Sequence, residues 1–500
     1  MSTVQALIVD PRDNVATAIA DLTAGTVVET NRGDYHVAAD VNAGHKFALR
    51  PLPTGESVVK YGSSVGVVSA TIDEGEHVHV HNTQSIVPSE RQRSDIADLS
   101  ALRQEPYRGS WDVDALRAIE FDGFARADGS VGVRNTVLII STVGCANVVA
   151  DRIARETDTV AITHQQGCLQ LGTDTELTRK QLLNVAHNPN IGAVLFVGLG
   201  CETMQAAPLA QAVTGRTVKA IGIQGEGGTR KTVERGVAII KEMQAELARQ
   251  QRTRASISKL VVGTKCGGSD AFSGLTANPA CGVASDMFVD AGAAVLLSET
   301  PGLFGSEPFL AARMENMDDR RRLAGALDRV WDESVRLGEL MSEGEMSPGN
   351  IAGGLTTLVE KSLGATTKAG TRPFSGFIEF ADRVPGPGLW LMDTPGFDII
   401  TISGQAAGGA QLLLFTTGRG SPVGSSIAPV VKVCSNSRTF EWMDEDMDVD
   451  AGAIISRSVP LEQLGREIFD RILASANGLE TNSELGGHHE FALARIGSTL

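Results

Sequence analysis

The chain has 500 residues, 42% of them hydrophobic, and a formal net charge of −16 at pH 7; that is apolar content enough for several cores and far too acidic a balance for a nucleic-acid surface. Gly contributes 55 residues with no Gly-X-Y period, and aromatics only 5%, which describes a loop-rich α/β protein. No run of about 18 apolar residues could span a bilayer and no basic start precedes an apolar stretch, so a cytoplasmic location is expected.

Residues 1–90 are expected to form a small β-rich domain. Asp13-Asn14 before Val15–Ala20 predicts a capped helix, and strands are expected at Tyr35–Ala38, His45–Leu49, Ser57–Lys60, Val65–Ile72 and His77–His81. This segment holds five of the nine histidines. In His77-Val78-His79-Val80-His81 the imidazoles alternate with valine, and the two-residue period of a strand puts all three on one face. Neutral imidazoles so spaced chelate one metal with help from a neighbouring strand, for which His45 is the candidate; an exposed histidine face on an edge strand fits the spacing equally well.

Residues 91–118, with Arg91, Arg93, Asp95, Asp98, Arg103 and Arg108, are expected to be a linker. Residues 119–252 then read as a first α/β domain. Its opening, Phe121 to Asn135, carries glycines suited to tight turns, with Arg126 and Arg134 placed to face an anion or to clamp a nearby carboxylate. From Thr136 onward apolar strands end in loops of glycine and reactive side chains: Val143-Gly-Cys-Ala-Asn147, His164-Gln-Gln-Gly-Cys168, Gly198-Leu-Gly-Cys-Glu202 and Gln224 to Thr229. Helices are expected over Glu176–Ala186, Thr203–Val213 and Thr229–Arg249. Such alternation predicts a mostly parallel sheet with all four loops on one edge.

Residues 253–500 repeat the arrangement as a second α/β domain. The richest loop, Lys265 to Pro279, follows the apolar run Leu260–Gly263 and precedes a helical stretch, and ligands bind at such carboxyl ends. Gly267 and Gly268 admit close backbone approach, while Ser269, Asp270, Ser273 and Asn278 supply donors and acceptors. Further loops are Ser298 to Gly302, Asp393 to Gly396 and Thr416 to Gly420. A charged helical stretch, Glu307 to Leu340, and a Gly-rich segment, Gly349 to Gly370, lie between them. The strands are not followed by a Gly-x-Gly-x-x-Gly or Walker pattern, which disfavours nicotinamide and nucleotide chemistry. Gly62-Ser-Ser-Val-Gly66 has no helix after it and reads as a chance match to a hydrolase elbow.

None of the six cysteines forms a C-x-x-C pair, so zinc ribbons and thioredoxin-like sites are not supported. Cys281 and Cys434 read as small core residues. Cys145, Cys168, Cys201 and Cys266 lie beside glycine in predicted loops and stay open as ligands or site-lining groups.

Carboxylates at Glu202, Asp270, Glu299 and Asp393, thiols and His164, beside a histidine-rich module, suggest a divalent metal and an acid/base pair. Elimination of water from a hydroxylated carboxylate suits them: the α-proton needs a base, the enediolate needs cationic stabilisation, and the hydroxide needs an acid or metal. The candidate catalytic residues are His164, Asp270 and Lys432; those for substrate are Arg134, Ser269, Asn278 and Arg419, the last by bidentate contact to a carboxylate. The candidate metal ligands are His45, His79, His81, Cys266 and Glu299. Each has a fold-supporting reading beside the functional one.

The blocks Arg126 to Asn135, Gly198 to Glu202, Cys266 to Asp270, Ser273 to Pro279, Ser298 to Pro301, Met392 to Gly396 and Thr416 to Gly420 together resemble the altronate dehydratase and galactarate dehydratase family. The amino-terminal module, with Gly44-His45-Lys46 and Val78 to Asn82, is similar to that family's SAF domain. The resemblance implies a metal-dependent hydro-lyase, with iron(II) or manganese(II) the expected ion, that converts a sugar acid to its 2-keto-3-deoxy product; it also favours His79 and His81 over His77. The same family includes sulfolactate sulfo-lyase, whose two modules lie on separate chains, so their fusion here favours sugar-acid dehydration. The pattern departs at Ser130, Leu169 and Cys434, which bears on the fit to a polyhydroxy substrate. The expected partner is a small anionic hydroxyacid, with no nucleic acid or membrane, and a homo-oligomer is expected although no interface is legible. A sulfo-lyase and a non-catalytic metal- or small-molecule-binding protein are the alternatives.

Overall fold

Thr136–Ser141 (TVLIIS) and Ile191–Gly198 (IGAVLFVG) are apolar without alternation, the pattern of strands covered on both faces. They are neighbours in a four-stranded sheet ordered 160–162, 136–141, 191–198, 217–222, and every pairing is parallel. Helices Asn147–Thr157 and Thr229–Leu247 cover one face, and Gly172–Ala186 with Ala206–Ala212 the other. The computed structural model describes residues 4–86, 102, 105–339, 341 and 346–497; of the expected linker, Arg91, Arg93, Asp95, Asp98 and Arg103 lie outside these.

The second sheet has seven strands in the order 374–378, 388–392, 294–297, 261–266, 412–417, 430–434, 449–450, again all parallel. Chain order departs in opposite directions on the two sides of Val261–Cys266, so the crevice between Cys266 and Thr416 is a topological switch point, where open α/β sheets bind ligands. A three-stranded antiparallel sheet of Val131–Gly132, Glu120–Ala125 and Thr253–Ser256 lies where the chain enters and leaves the first α/β unit. The carboxyl-terminal segment returns to that unit: Ala494 N donates to Gln181 Oε1 at 2.7 Å and Ile496 N to Asp174 Oδ1 at 3.0 Å. The charged stretch expected at Glu307–Leu340 is two helices, Glu307–Ala312 and Met317–Leu337.

The amino-terminal domain is built from a six-stranded and a three-stranded sheet. The helix expected from Val15 is instead the strand Val15–Ala18, fully buried between Ala6–Leu7 and Lys46–Ala48. β-branched Val15 and Thr17 suit that strand, and Asn14 is a cross-sheet tie in place of a helix cap: its Nδ2 donates to Ser57 O at 2.9 Å and its Oδ1 accepts from Val59 N at 2.8 Å. The strand expected over His77–His81 is also shorter. Only His77–Val78 pairs with Lys46–Phe47, and a turn begins at His79, whose N–H is taken by Asn82 Oδ1 at 2.9 Å.

A buried ionic triad of two lysines and one glutamate joins this domain to the rest. Lys46 Nζ lies 3.0 Å and Lys60 Nζ 2.9 Å from the carboxylate of Glu360, in the first turn of helix Leu358–Thr366. Burial works against the charge on Glu360, yet the two ammonium groups hold its carboxyl down at about 2. Burial pushes Lys46 down to about 8 in spite of Glu360, with Lys60 adding repulsion.

Candidate active site and metal centre

The turn at His79 decides which imidazoles meet. His45, at the edge of the Lys46–Ala48 strand, faces His77 and His79, and the nitrogens of these three rings lie within 4.8 Å of one another. His45 Nδ1 is 3.0 Å from His77 Nε2. His81, by contrast, is exposed and lies outside this group, its ring centroid 5.4 Å from that of His77. Of the histidines expected as ligands, His45 and His79 thus belong to this group, while His77 stands in it in place of the expected His81, because the strand lasts only two residues.

Burial keeps these rings neutral. It lowers His45, takes His77 to about 4 and His79 to about 3, with repulsion from neighbouring cations and rings adding to the last two. Neutral imidazole is the ligand form, and three such nitrogens with no carboxylate among them could hold a first-row divalent ion. The set also has outer partners. His79 Nδ1 is 3.3 Å from Thr356 Oγ1, and His45 Nε2 is 3.4 Å from Ala352 O, contacts that orient ligating rings.

Ala352 and Thr356 belong to the Gly-rich segment of the third domain, which also supports the loop after Cys266. Gly353 O accepts from Ala271 N at 2.9 Å, and Asn350 Nδ2 donates to Ser269 O at 2.8 Å. Gly354 has φ +92°, and a Cβ there would come 2.4 Å from Gly44 O, so only glycine lets the two domains close here.

Within the loop, Asp270 is buried and accepts four hydrogen bonds. Ser273 N (2.8 Å), Ser273 Oγ (2.9 Å) and Ser435 Oγ (2.7 Å) donate to Oδ1, and Asn436 Nδ2 (3.0 Å) donates to Oδ2. Burial raises the carboxyl above the ordinary aspartate range against the pull of these donors, a setting typical of acid/base groups. Gly418 lies against it so closely that a Cβ would sit 2.1 Å from Asp270 Cγ. Ser435 and Asn436, which follow the Val430–Cys434 strand, were not picked out from sequence; their place at a strand end was the available signal.

Ser269 and Asn278 line the same crevice and are engaged. Ser269 Oγ is 2.8 Å from Cys266 Sγ, and Asn278 Oδ1 accepts from Thr416 Oγ1 at 2.7 Å. Cys266 and Glu299, expected as metal ligands, belong to this crevice and are separate from the histidines in the only three-residue ligand group found among the described residues. Glu299, at φ +80°, holds Lys265 Nζ at 2.7 Å, and Asp398 takes the same ammonium at 3.1 Å. A non-glycine residue in that backbone region stores strain, which recurs at functional sites.

Lys432 is fully buried, with Nζ donating to Ser421 O at 2.8 Å. Burial lowers its ammonium to about 8, against the pull of Asp448 and Asp446. The segment Gly418–Ser421 therefore touches both Asp270 and Lys432, and the Arg419 side chain on it is exposed toward solvent.

Two other candidates have structural partners. Arg134 forms a bidentate pair with Glu484 at 2.8 and 2.9 Å and caps carbonyls of Val133, Ser475 and Leu479; it clamps a carboxylate of the fold. His164 is buried with both nitrogens occupied: Nε2 is 2.8 Å from Ser141 O, and Nδ1 accepts from Gln166 N at 3.1 Å. Neither nitrogen has a free lone pair for an incoming proton, so the base role read from sequence has no geometric support and the ring pins its loop.

Among the described residues no helix is long and apolar enough to cross a membrane. Residues 4–86 match the altronate/galactarate dehydratase SAF domain, 123–248 the D-galactarate dehydratase/altronate hydrolase second domain, and 257–499 the D-galactarate/altronate dehydratase C-terminal domain. The chain is 36% identical over 502 residues to altronate dehydratase of Bacillus subtilis, covering 98% of each chain, and 36% identical over 501 residues to altronate dehydratase of Escherichia coli, again 98% of each. It is also 35% identical over 385 residues to the (2R)-sulfolactate sulfo-lyase subunit beta of Chromohalobacter salexigens, covering 76% of this chain and 98% of that one.

Proposed function

The chain belongs to the D-galactarate/altronate dehydratase family, and on that premise we propose that it is a hydro-lyase that dehydrates an altronate- or galactarate-like sugar acid to a 2-keto-3-deoxy acid. One observation carries the placing of the reaction: the segment Ala352–Gly354 touches the His45/His77/His79 group on one side and the Asp270 loop on the other. That the histidine group and the Asp270 loop share this wall supports reading them as one site.

In this reading His45, His77 and His79 hold a divalent ion, iron(II) or manganese(II) by the family resemblance. When bound, the ion supplies Lewis-acid stabilisation to the oxygen atoms of the substrate carboxylate or hydroxyl. The chain's own groups do the proton work. The amine of Lys432, held near 8, takes the proton from the carbon α to the carboxylate. The Asp270 carboxyl, raised by burial, gives its proton to the β-hydroxyl, so that the C–O bond breaks with loss of water. The enol left behind tautomerises to the 2-keto-3-deoxy acid. Arg419, exposed on the segment shared by both groups, pairs with the substrate carboxylate.

A sulfo-lyase reading draws on the sulfolactate relative, whose identity is similar in level over a smaller share of the chain. Product analysis separates the two. Incubated anaerobically with iron(II), the chain is expected to form a 2-keto-3-deoxy acid from altronate or galactarate and to release no sulfite from sulfolactate; sulfite release with no sugar-acid turnover would replace the proposal.

A further inference from the structure

The proposed reaction leaves Cys145, Cys168 and Cys201 unused. All three are exposed, whereas Cys266, Cys281 and Cys434 are buried. They follow the carboxyl ends of three adjacent strands, 136–141, 160–162 and 191–198, and the first of these lies between the other two. Chain order reverses there, so the three loops that carry the thiols lie at the switch point of this smaller sheet. The loops touch through their backbones: Gly144 N donates to Gln166 O at 3.2 Å, and Met204 N to Gly167 O at 3.1 Å.

Each loop is fixed by buried polar groups while its thiol faces out. Glu202 accepts from Leu199 N at 3.2 Å, from Thr142 Oγ1 at 3.1 Å and from Gly200 N. His164 ties the second loop to Ser141 O, and Gln170 Oε1 takes Gly167 N at 3.0 Å. Gly167 at φ +103° and Gly200 at φ +127° admit these shapes. Beside the thiols, Asn147 Oδ1 and Gln166 Oε1 are buried with no partner, and Gln224 Nε2 stands 3.5 Å from Cys201 Sγ as a donor to sulfur. So much buried scaffolding under three exposed thiols is the pattern of a built ligand set.

The spacing says which ligand. Three thiolates on one ion would lie within about 4 Å of one another, given zinc–sulfur bonds of about 2.3 Å. Among the described residues only the histidine group brings three ligand atoms within 4.8 Å, so the three thiols do not close on a single ion, and a ligand held by all three has to be larger than one ion. We propose that Cys145, Cys168 and Cys201 are the three thiolate ligands of an iron–sulfur cluster that leaves one iron without a cysteine. Each thiol gives up its proton on ligation, and the Gln224 amide donates to the Cys201 sulfur, a contact of the kind that tunes such clusters.

The test is independent of sugar-acid turnover. The full chain, purified without oxygen and reconstituted with iron and sulfide, is expected to retain acid-labile sulfide and a matching excess of iron after desalting, with broad visible absorption. His79→Ala should retain the sulfide. Cys145→Ser, Cys168→Ser and Cys201→Ser should each reduce it to background with unchanged circular dichroism. Iron without labile sulfide in the wild type, or sulfide kept in any of the three serine variants, overturns the proposal. Should a variant fold poorly, iodoacetamide labelling of the wild type decides: the three thiols should be protected after reconstitution, and equal labelling before and after would count against the cluster.

Discussion

The ammonium of Lys60, in the amino-terminal domain, lies 2.9 Å from the carboxylate of Glu360 in the carboxyl-terminal one, with both side chains removed from solvent. Lys46 reaches the same carboxylate at 3.0 Å and also donates to Gly354 O at 2.8 Å. Because Lys46 follows His45 directly, this contact sets where the imidazole group stands against the third domain. A two-to-one buried triad has little net stability to offer, since desolvation opposes it; its removal leaves charge without a partner.

Glu360→Gln strands two buried ammonium groups and is expected to lower unfolding free energy by about 3–5 kcal/mol. Chemical denaturation of the two proteins measures the difference, and a change under about 1 kcal/mol would mean that the triad is not formed.

The histidine group makes a residue-specific prediction about metal. His77→Ala and His79→Ala each remove one of three converging nitrogens and should weaken iron(II) or manganese(II) binding by about 100-fold or more. His81→Ala should leave affinity within about twofold, because His81 is exposed and lies outside the group of three converging nitrogens. Calorimetric titration of the three variants reads this directly. Loss of binding in His81→Ala alone would place the ion on the other side of the turn.

The buried ring of His164 predicts a pH effect. Burial lowers it from 6.5 to about 4, so between those values the unfolded chain binds more protons than the folded one. Stability from this group is therefore complete above pH 6.5 and is lost as pH falls toward 4, by about 3 kcal/mol in all. Comparing wild type with His164→Gln across that window should show the wild type losing more on acidification; parallel curves would contradict the buried neutral ring.

Gly418→Ala would place a methyl 2.1 Å from Asp270 Cγ and must push the carboxyl off its four donors. Turnover is expected to fall about 100-fold, as for a displacement of about 1 Å in a reacting group, with about 1–3 kcal/mol lost in stability. Full activity in this variant would remove Asp270 from the chemistry.

The parallel sheets were legible because their strands are apolar without interruption and are punctuated by glycine loops, as in Val194 to Gly200. Local signals failed where tertiary contacts decide. Asp13-Asn14 carries the residue types of a helix cap, yet Asn14 is spent on Ser57 and Val59 more than forty positions away, and the segment after it is a strand. The strand at His77 stops after two residues because Asn82 captures the His79 N–H, a turn that alternation cannot reveal. In the site, Asp270 stood out through the polar density of its loop. Glu360 did not, since nothing local marks a carboxylate whose partners, Lys46 and Lys60, lie about three hundred residues earlier. Arg134 and His164 were reactive types in suggestive loops, and only their occupied hydrogen bonds separate a clamp from a catalyst.

The most direct test of the account is the anaerobic rate of 2-keto-3-deoxy acid formation from altronate and galactarate by the iron(II)-loaded chain, beside His79→Ala and Asp270→Asn. The account predicts turnover of one of these acids by the wild type, its loss on chelation, and a fall of about 100-fold or more in each variant, as expected for groups that act together. Full turnover in both variants, or none in a wild type that demonstrably holds its metal, would contradict it.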